Sequence, residues 1–206
     1  MSMAEIAWED IKKAAESLAL EPCALSAVCQ VEANGEGFMP DGRPKILFEP
    51  HVFWRELQKR NYNPKGLLSR ADVRQNHGDI SDILYQKWGA RPYGSEKAQW
   101  GRLERAKAIN EDAALCSASW GAFQILGNNY QDCGYGTVQG FVRMMSEGYS
   151  GQLEALGRFL KANNLIRPLK NHDWAAFARG YNGAGYAKNQ YDVKLRQAYE
   201  KCVRSK

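Results

Sequence analysis

The sequence has no apolar run close to the ~20 residues that a helix needs to cross a bilayer, so no membrane-spanning helix is expected. Its first ten residues, Met1 to Asp10, lack both a basic stretch and an apolar stretch and do not read as a secretory signal. The expectation is synthesis in the cytoplasm. Histidine is scarce, with three in the chain, and the five cysteines (Cys23, Cys29, Cys116, Cys133 and Cys202) show no CxxC or His–Cys spacing. No metal site is expected from such a set. Cys23 and Cys29 fall on one expected helix, too far apart to bridge easily, so the cysteines read as reduced, mostly buried thiols. A glycine-rich phosphate loop, a nucleophile elbow and a dinucleotide fingerprint are all missing, and no cofactor is expected. Long basic runs are missing as well. The net charge of +5 is scattered along the chain, which falls short of a nucleic-acid-binding signature but suits an anionic polymer or surface.

What is present fits one globular domain over residues 1–206, with a good-sized core and no second module. The chain has 206 residues, of which 44% are hydrophobic and 25% charged. Six Trp and ten Tyr lean toward an extended carbohydrate ligand, since sugar grooves use aromatic faces. Apolar spacing predicts helices over 4–18, 22–32, 50–59, 97–110 (continuing to about 115), 138–147, 151–163, 173–179 and 191–204. A short helix is expected at 80–87, within a loop-rich lobe over 61–101. Ile46-Leu47-Phe48 is a short extended run. The class is mostly α, with minimal sheet and two lobes around a cleft. The last helix carries Lys194, Arg196, Lys201, Arg204 and Lys206. It offers a weak contact with an anionic membrane, although these cations read first as a solvated face. A monomer is expected.

Three constellations carry chemistry. Leu25, Val28 and Cys29 step by three and four, and the next position on that stripe is Glu32. A carboxylate on an inward stripe, at the negative end of a helix, should have a raised pKa and suit a general acid. The plainer alternative is a solvated last-turn Glu. Glu49 follows seventeen residues later, before Pro50 at a helix start, where the dipole favours an anion. The two settings push the two acidities apart, as an acid and its partner require; a simple helix cap is the alternative. In Ser119-Trp120-Gly121-Ala122-Phe123-Gln124-Ile125, Gln124 needs a partner, either a sugar or a backbone carbonyl. In Arg179-Gly180-Tyr181-Asn182-Gly183-Ala184-Gly185, Tyr181 and Asn182 offer hydrogen bonds where glycines permit close approach; a glycine-rich helix stop with a core Tyr is the alternative.

A Glu closing a helix, then Ser-x-Gly-x-x-Gln-Ile, then Tyr-Asn-x-x-Gly resembles the lysozyme-like superfamily of goose-type lysozymes and soluble lytic transglycosylases. The closer resemblance is to the N-acetylmuramidase family of phage endolysins. It rests on Val31-Glu32-Ala33-Asn34-Gly35-Glu36-Gly37-Phe38, Gly42-Arg43-Pro44-Lys45-Ile46-Leu47-Phe48-Glu49, the Ser119 to Ile125 stretch, and Asp173-Trp174-Ala175-Ala176-Phe177-Ala178-Arg179-Gly180-Tyr181-Asn182-Gly183. It implies a lysozyme-like fold and hydrolysis of peptidoglycan between N-acetylmuramic acid and N-acetylglucosamine. Glu32 would be the general acid, Glu49 the second carboxylate and Tyr181 an active-site hydroxyl, with Gln124, Asn182 and Ser119 contacting sugar. A lytic transglycosylase and a non-catalytic wall-binding protein are the alternatives. One departure stands out: the residue after the first Glu is commonly Ser in the superfamily and is Ala33 here.

Overall fold

The computed structural model describes residues 6–33 and 36–206. Helix α1 (Trp8–Ser17) buries Ile11 and Ala15 and begins within the expected stretch, whose first two positions lie outside the described residues. Pro22 sits in the first turn of α2 (Pro22–Glu32), where its missing N–H costs nothing. The expectation of one inward stripe on α2 is corrected here. Ala24, Leu25, Ser26, Ala27, Val28 and Cys29 are all buried, so α2 is enclosed on every side. Its small residues let neighbours approach closely, and it packs against α1, α10 (Ile166–Lys170) and α12 (Tyr191–Ser205).

Strand β1 (Ile46–Phe48) pairs antiparallel with β2 (Ala118–Trp120), which pairs antiparallel with β3 (Ile125–Leu126). The register sets Leu47 opposite Ser119 and Phe48 opposite Ala118. Helix α3 (Pro50–Lys59) leaves directly from β1, again with Pro in the first turn. Helices α4 (Pro64–Ser69) and α5 (Ala71–His77) occupy the stretch expected to be loop. The Asn63-Pro64 pair that reads as a turn is a helix start, because the Asn63 side chain accepts from the Gly66 N–H at 3.0 Å.

The helix expected over 80–87 is absent. Ile80, Ile83 and Leu84 are buried, but a single turn satisfies that spacing, with the Ile83 N–H donating to the Ile80 carbonyl. Asp79 accepts from both the N–H and the hydroxyl of Ser81, which competes with helix formation at its start. Helices α6 (Glu96–Lys107) and α7 (Glu111–Cys116) replace one long expected helix and precede β2. After β3 come α8 (Val138–Ser146), α9 (Tyr149–Ala162), the unexpected α10, α11 (Trp174–Asn182) and α12. The sheet packs with α6, while α2 sits against α12, which also packs on α11.

The cysteine expectation is corrected in part. Cys23 and Cys202 form a disulfide with Cα atoms 5.5 Å apart, tying the start of α2 to α12. The partner is 179 residues away in sequence, beyond the reach of local spacing. Cys29, Cys116 and Cys133 are free and buried. Among the described residues no helix is long and apolar enough to cross a membrane.

Candidate active site

Glu32 occupies the last turn of α2, and Ala33 then leaves helical geometry at φ −67°, ψ 104°. The carboxylate is half-buried. Its Oε2 accepts a 2.9 Å hydrogen bond from Asn182 Nδ2 at the end of α11, and its Oε1 is buried without a partner among the described residues. Burial raises its pKa above the ordinary carboxylate value; the Asn182 bond and the positive charge of Lys194 on α12 pull back against that rise.

Tyr181, one residue before Asn182, lies half-buried against Phe177 and Phe159, with ring centroids 5.5 and 5.6 Å away. Its hydroxyl donates to the carbonyl of Phe123 at 3.3 Å. Burial, then the charges of Glu32 and Cys29, push its pKa far above the tyrosine range, so it stays a neutral donor.

Glu49 joins β1 to α3, and its backbone N–H donates to the Ser117 carbonyl at 2.8 Å. Its side chain makes no cap bond to α3. It turns sideways instead: Oε2 accepts from the Tyr93 hydroxyl at 3.1 Å and Oε1 from the Ser119 hydroxyl at 3.4 Å. His51 Nε2 lies 3.6 Å from Oε2. Burial lowers the pKa of His51, opposed by the Glu49 charge and helped by Arg55, so the ring is neutral at neutral pH.

The turn between β2 and β3 links these two groups. Ser119 touches Glu49, and four residues on, Phe123 receives the Tyr181 hydroxyl. Gln124, with φ +49°, donates its amide to the Gly121 carbonyl at 2.8 Å. Of the six residues read from sequence, the structure therefore pairs Glu32 with Asn182 and Glu49 with Ser119. It sets Tyr181 against the connecting turn and folds Gln124 back onto its own backbone. Among the described residues no cluster of three metal-ligating side chains occurs.

The N-acetylmuramidase family model matches residues 21–203, a range that includes all of these groups. The chain belongs to the N-acetylmuramidase family. This muramidase is similar to a crystal structure of Burkholderia AP3 phage endolysin, with 35% identity and a TM-score of 0.83 over 99% of this chain and 74% of that one. No curated protein matches. The muramidase is thus a mostly helical, lysozyme-like glycoside hydrolase.

Several residues that build this candidate site of the muramidase carried no sequence signal of their own. Gln152 of α9 is fully buried. Its Oε1 accepts from the Ala122 N–H at 2.8 Å, and its Nε2 donates to the carbonyls of Gly37 (3.2 Å) and Met145 (3.1 Å). It fastens the segment after Glu32 to the β2–β3 turn. A Cβ at Gly37 would stand 2.5 Å from Gln152 Oε1, and one at Gly121, where φ is +69°, 2.7 Å from its Cδ. Gln99 of α6, also buried, accepts from the Phe48 N–H and donates to the Tyr93 carbonyl at 2.6 Å, joining the strand before Glu49 to the loop that brings Tyr93 to it. His51, two residues past Glu49 in a chain with three histidines, was the one signal available there. A cavity of about 550 Å³ on another flank of α2, lined partly by Trp8, Cys29 and Lys201, contains neither carboxylate.

Proposed function

We propose that the chain is an endolysin that hydrolyses the bond between N-acetylmuramic acid and N-acetylglucosamine in peptidoglycan glycan strands. Glu32 delivers its proton to the glycosidic oxygen, and the C1–O bond breaks through an oxocarbenium-like transition state. Water attacks C1 and loses a proton to Glu49; Glu49 then releases that proton to solvent and Glu32 takes one back. Asn182 holds Glu32 by one oxygen, Tyr93 and Ser119 hold Glu49, and Tyr181 fixes the turn between them. Gln124 keeps one amide oxygen for an N-acetyl or hydroxyl group. The observation that carries this reading is the half-buried Glu32, whose acidity is weakened by burial while an amide fixes its orientation. Such a group stays protonated closer to neutral pH than an exposed carboxylate.

The enzyme would be made in the host cytoplasm, reach the wall after the inner membrane is opened by a separate protein, and act as a monomer. The test is lysis of purified peptidoglycan with analysis of the released muropeptides by mass spectrometry. Hydrolysis leaves reducible ends. Glu32→Gln should lower the rate by at least ~10²-fold in a folded protein, and an active Gln variant sinks the assignment. Anhydro ends would identify a transglycosylase instead. Tight binding without any released fragments would identify a wall-binding protein.

A further inference from the structure

The rings of five of the six tryptophans pack against other protein groups. Trp8 lies under Lys206, Trp54 packs against the core, Trp100 and Trp120 pack edge to face, and Trp174 stacks on His172. Trp88 differs. It is 75% exposed, the most exposed large apolar side chain described. An indole left this open forgoes the burial that normally holds a tryptophan in a fold.

Its place is nonetheless defined. Trp88 stands on a turn in which the Ala90 N–H donates to the Lys87 carbonyl at 3.2 Å. Before the turn, Ile80, Ile83 and Leu84 are buried; after it, Gln99 and Arg102 donate to the Tyr93 carbonyl. Five residues on, the Tyr93 hydroxyl donates to Glu49 at 3.1 Å, and the Trp88 side chain lies close enough to that hydroxyl to influence its acidity. Trp88 thus stands on the loop that brings Tyr93 to the second carboxylate, and its ring stays open.

We propose that Trp88 is a sugar-stacking platform beside Glu49, taking the apolar C–H face of an N-acetylhexosamine in the glycan strand against its indole ring. This rests on glycan being the substrate. The C–H bonds of a pyranose face carry partial positive charge and suit the negative face of the ring. A loop residue fixed by buried neighbours can bind without the ordering cost of a free side chain. Trp88 binds ground state and transition state alike, so its contribution falls on KM.

The test compares wild type with Trp88→Ala and Trp88→Phe on soluble glycan strands. A second readout is fluorine NMR of 5-fluorotryptophan-labelled protein, titrated with an N-acetylglucosamine tetramer. In Trp88→Ala, KM should rise roughly three- to tenfold with kcat changing much less, and Trp88→Phe should recover most of the loss. The Trp88 resonance, assigned by its disappearance in the Ala variant, should shift with the sugar. Tm should stay within about 2 °C, since the side chain is exposed. An unchanged KM with an unmoved resonance, in an enzyme that still cleaves, overturns the platform and leaves the muramidase reading intact. A wild-type protein that releases no fragments while its Trp88 resonance still shifts would sink the hydrolytic reading and keep the platform.

Discussion

Asn182 sets the acidity of Glu32 against the desolvation that raises it. Its donated hydrogen bond favours the ionised form. Asn182→Leu, similar in volume but without the donor, should therefore raise the Glu32 pKa further. The alkaline limb of kcat/KM, which reports loss of the acid's proton, should move to higher pH; a limb that stays put or moves down removes Asn182 from that role. Lys194 acts in the same direction as Asn182 from α12. At the other carboxylate, Tyr93→Phe deletes the 3.1 Å hydroxyl contact while keeping the ring. A fall in kcat/KM of about tenfold is expected, as for the loss of one hydrogen bond to a charged group. Ser119→Ala, at 3.4 Å, should cost less. Steady-state rates on soluble glycan decide both, and equal or reversed effects would contradict the geometry. Glu32 was legible because a carboxylate interrupted an apolar spacing. Asn182 and Ser119 were legible as polar residues in glycine-rich or tight segments, but as presumed sugar contacts. That each holds a carboxylate depends on contacts spanning 150 and 70 residues.

At the scale of elements, α2, β1 and α3 were readable because proline opens both helices and a regular apolar spacing runs along α3. The helix over 80–87 failed because one buried turn imitates the start of a helical stripe, and α4 was missed because its cap pair looks like a turn. The β2–β3 turn depends on α9 through Gln152. Gln152→Ala would orphan the Ala122 N–H and the Gly37 and Met145 carbonyls in a buried site. Unsatisfied buried groups and the cavity left behind should together cost about 3 kcal/mol or more. Urea denaturation would measure it, and a loss below about 1 kcal/mol would show that the turn holds itself. Sequence could not expose this residue, since a glutamine in an otherwise ordinary helix looks the same whether it faces water or backbone.

For the whole molecule, the Cys23–Cys202 link closes nearly the full chain and fixes the start of the Glu32 helix to α12. In the chain-entropy account, a loop this long makes the cross-link worth about 5 kcal/mol, with 2–4 more typical in practice. Cys202→Ser in oxidising buffer, or reduction of the wild type, should lower stability by roughly that 2–4 kcal/mol. Thiol titration of the denatured, unreduced protein should count three free cysteines, against five after reduction. Finding five without reduction, or an unchanged Tm, would contradict the link. A bridge of this kind forms in an oxidising environment.

Local physics determined much of this muramidase from sequence alone: the helical class, the short strand before Glu49, the central helix and both candidate carboxylates. These follow from interactions between residues a few positions apart, which spacing, proline and glycine encode directly. Tertiary structure decided which partners those carboxylates have, that Gln99 and Gln152 hold the loops around them, and that Cys23 meets Cys202. Each of these is a pairing across 30 or more residues. Many chain paths could bring such distant residues together, and only the packed core selects one of them.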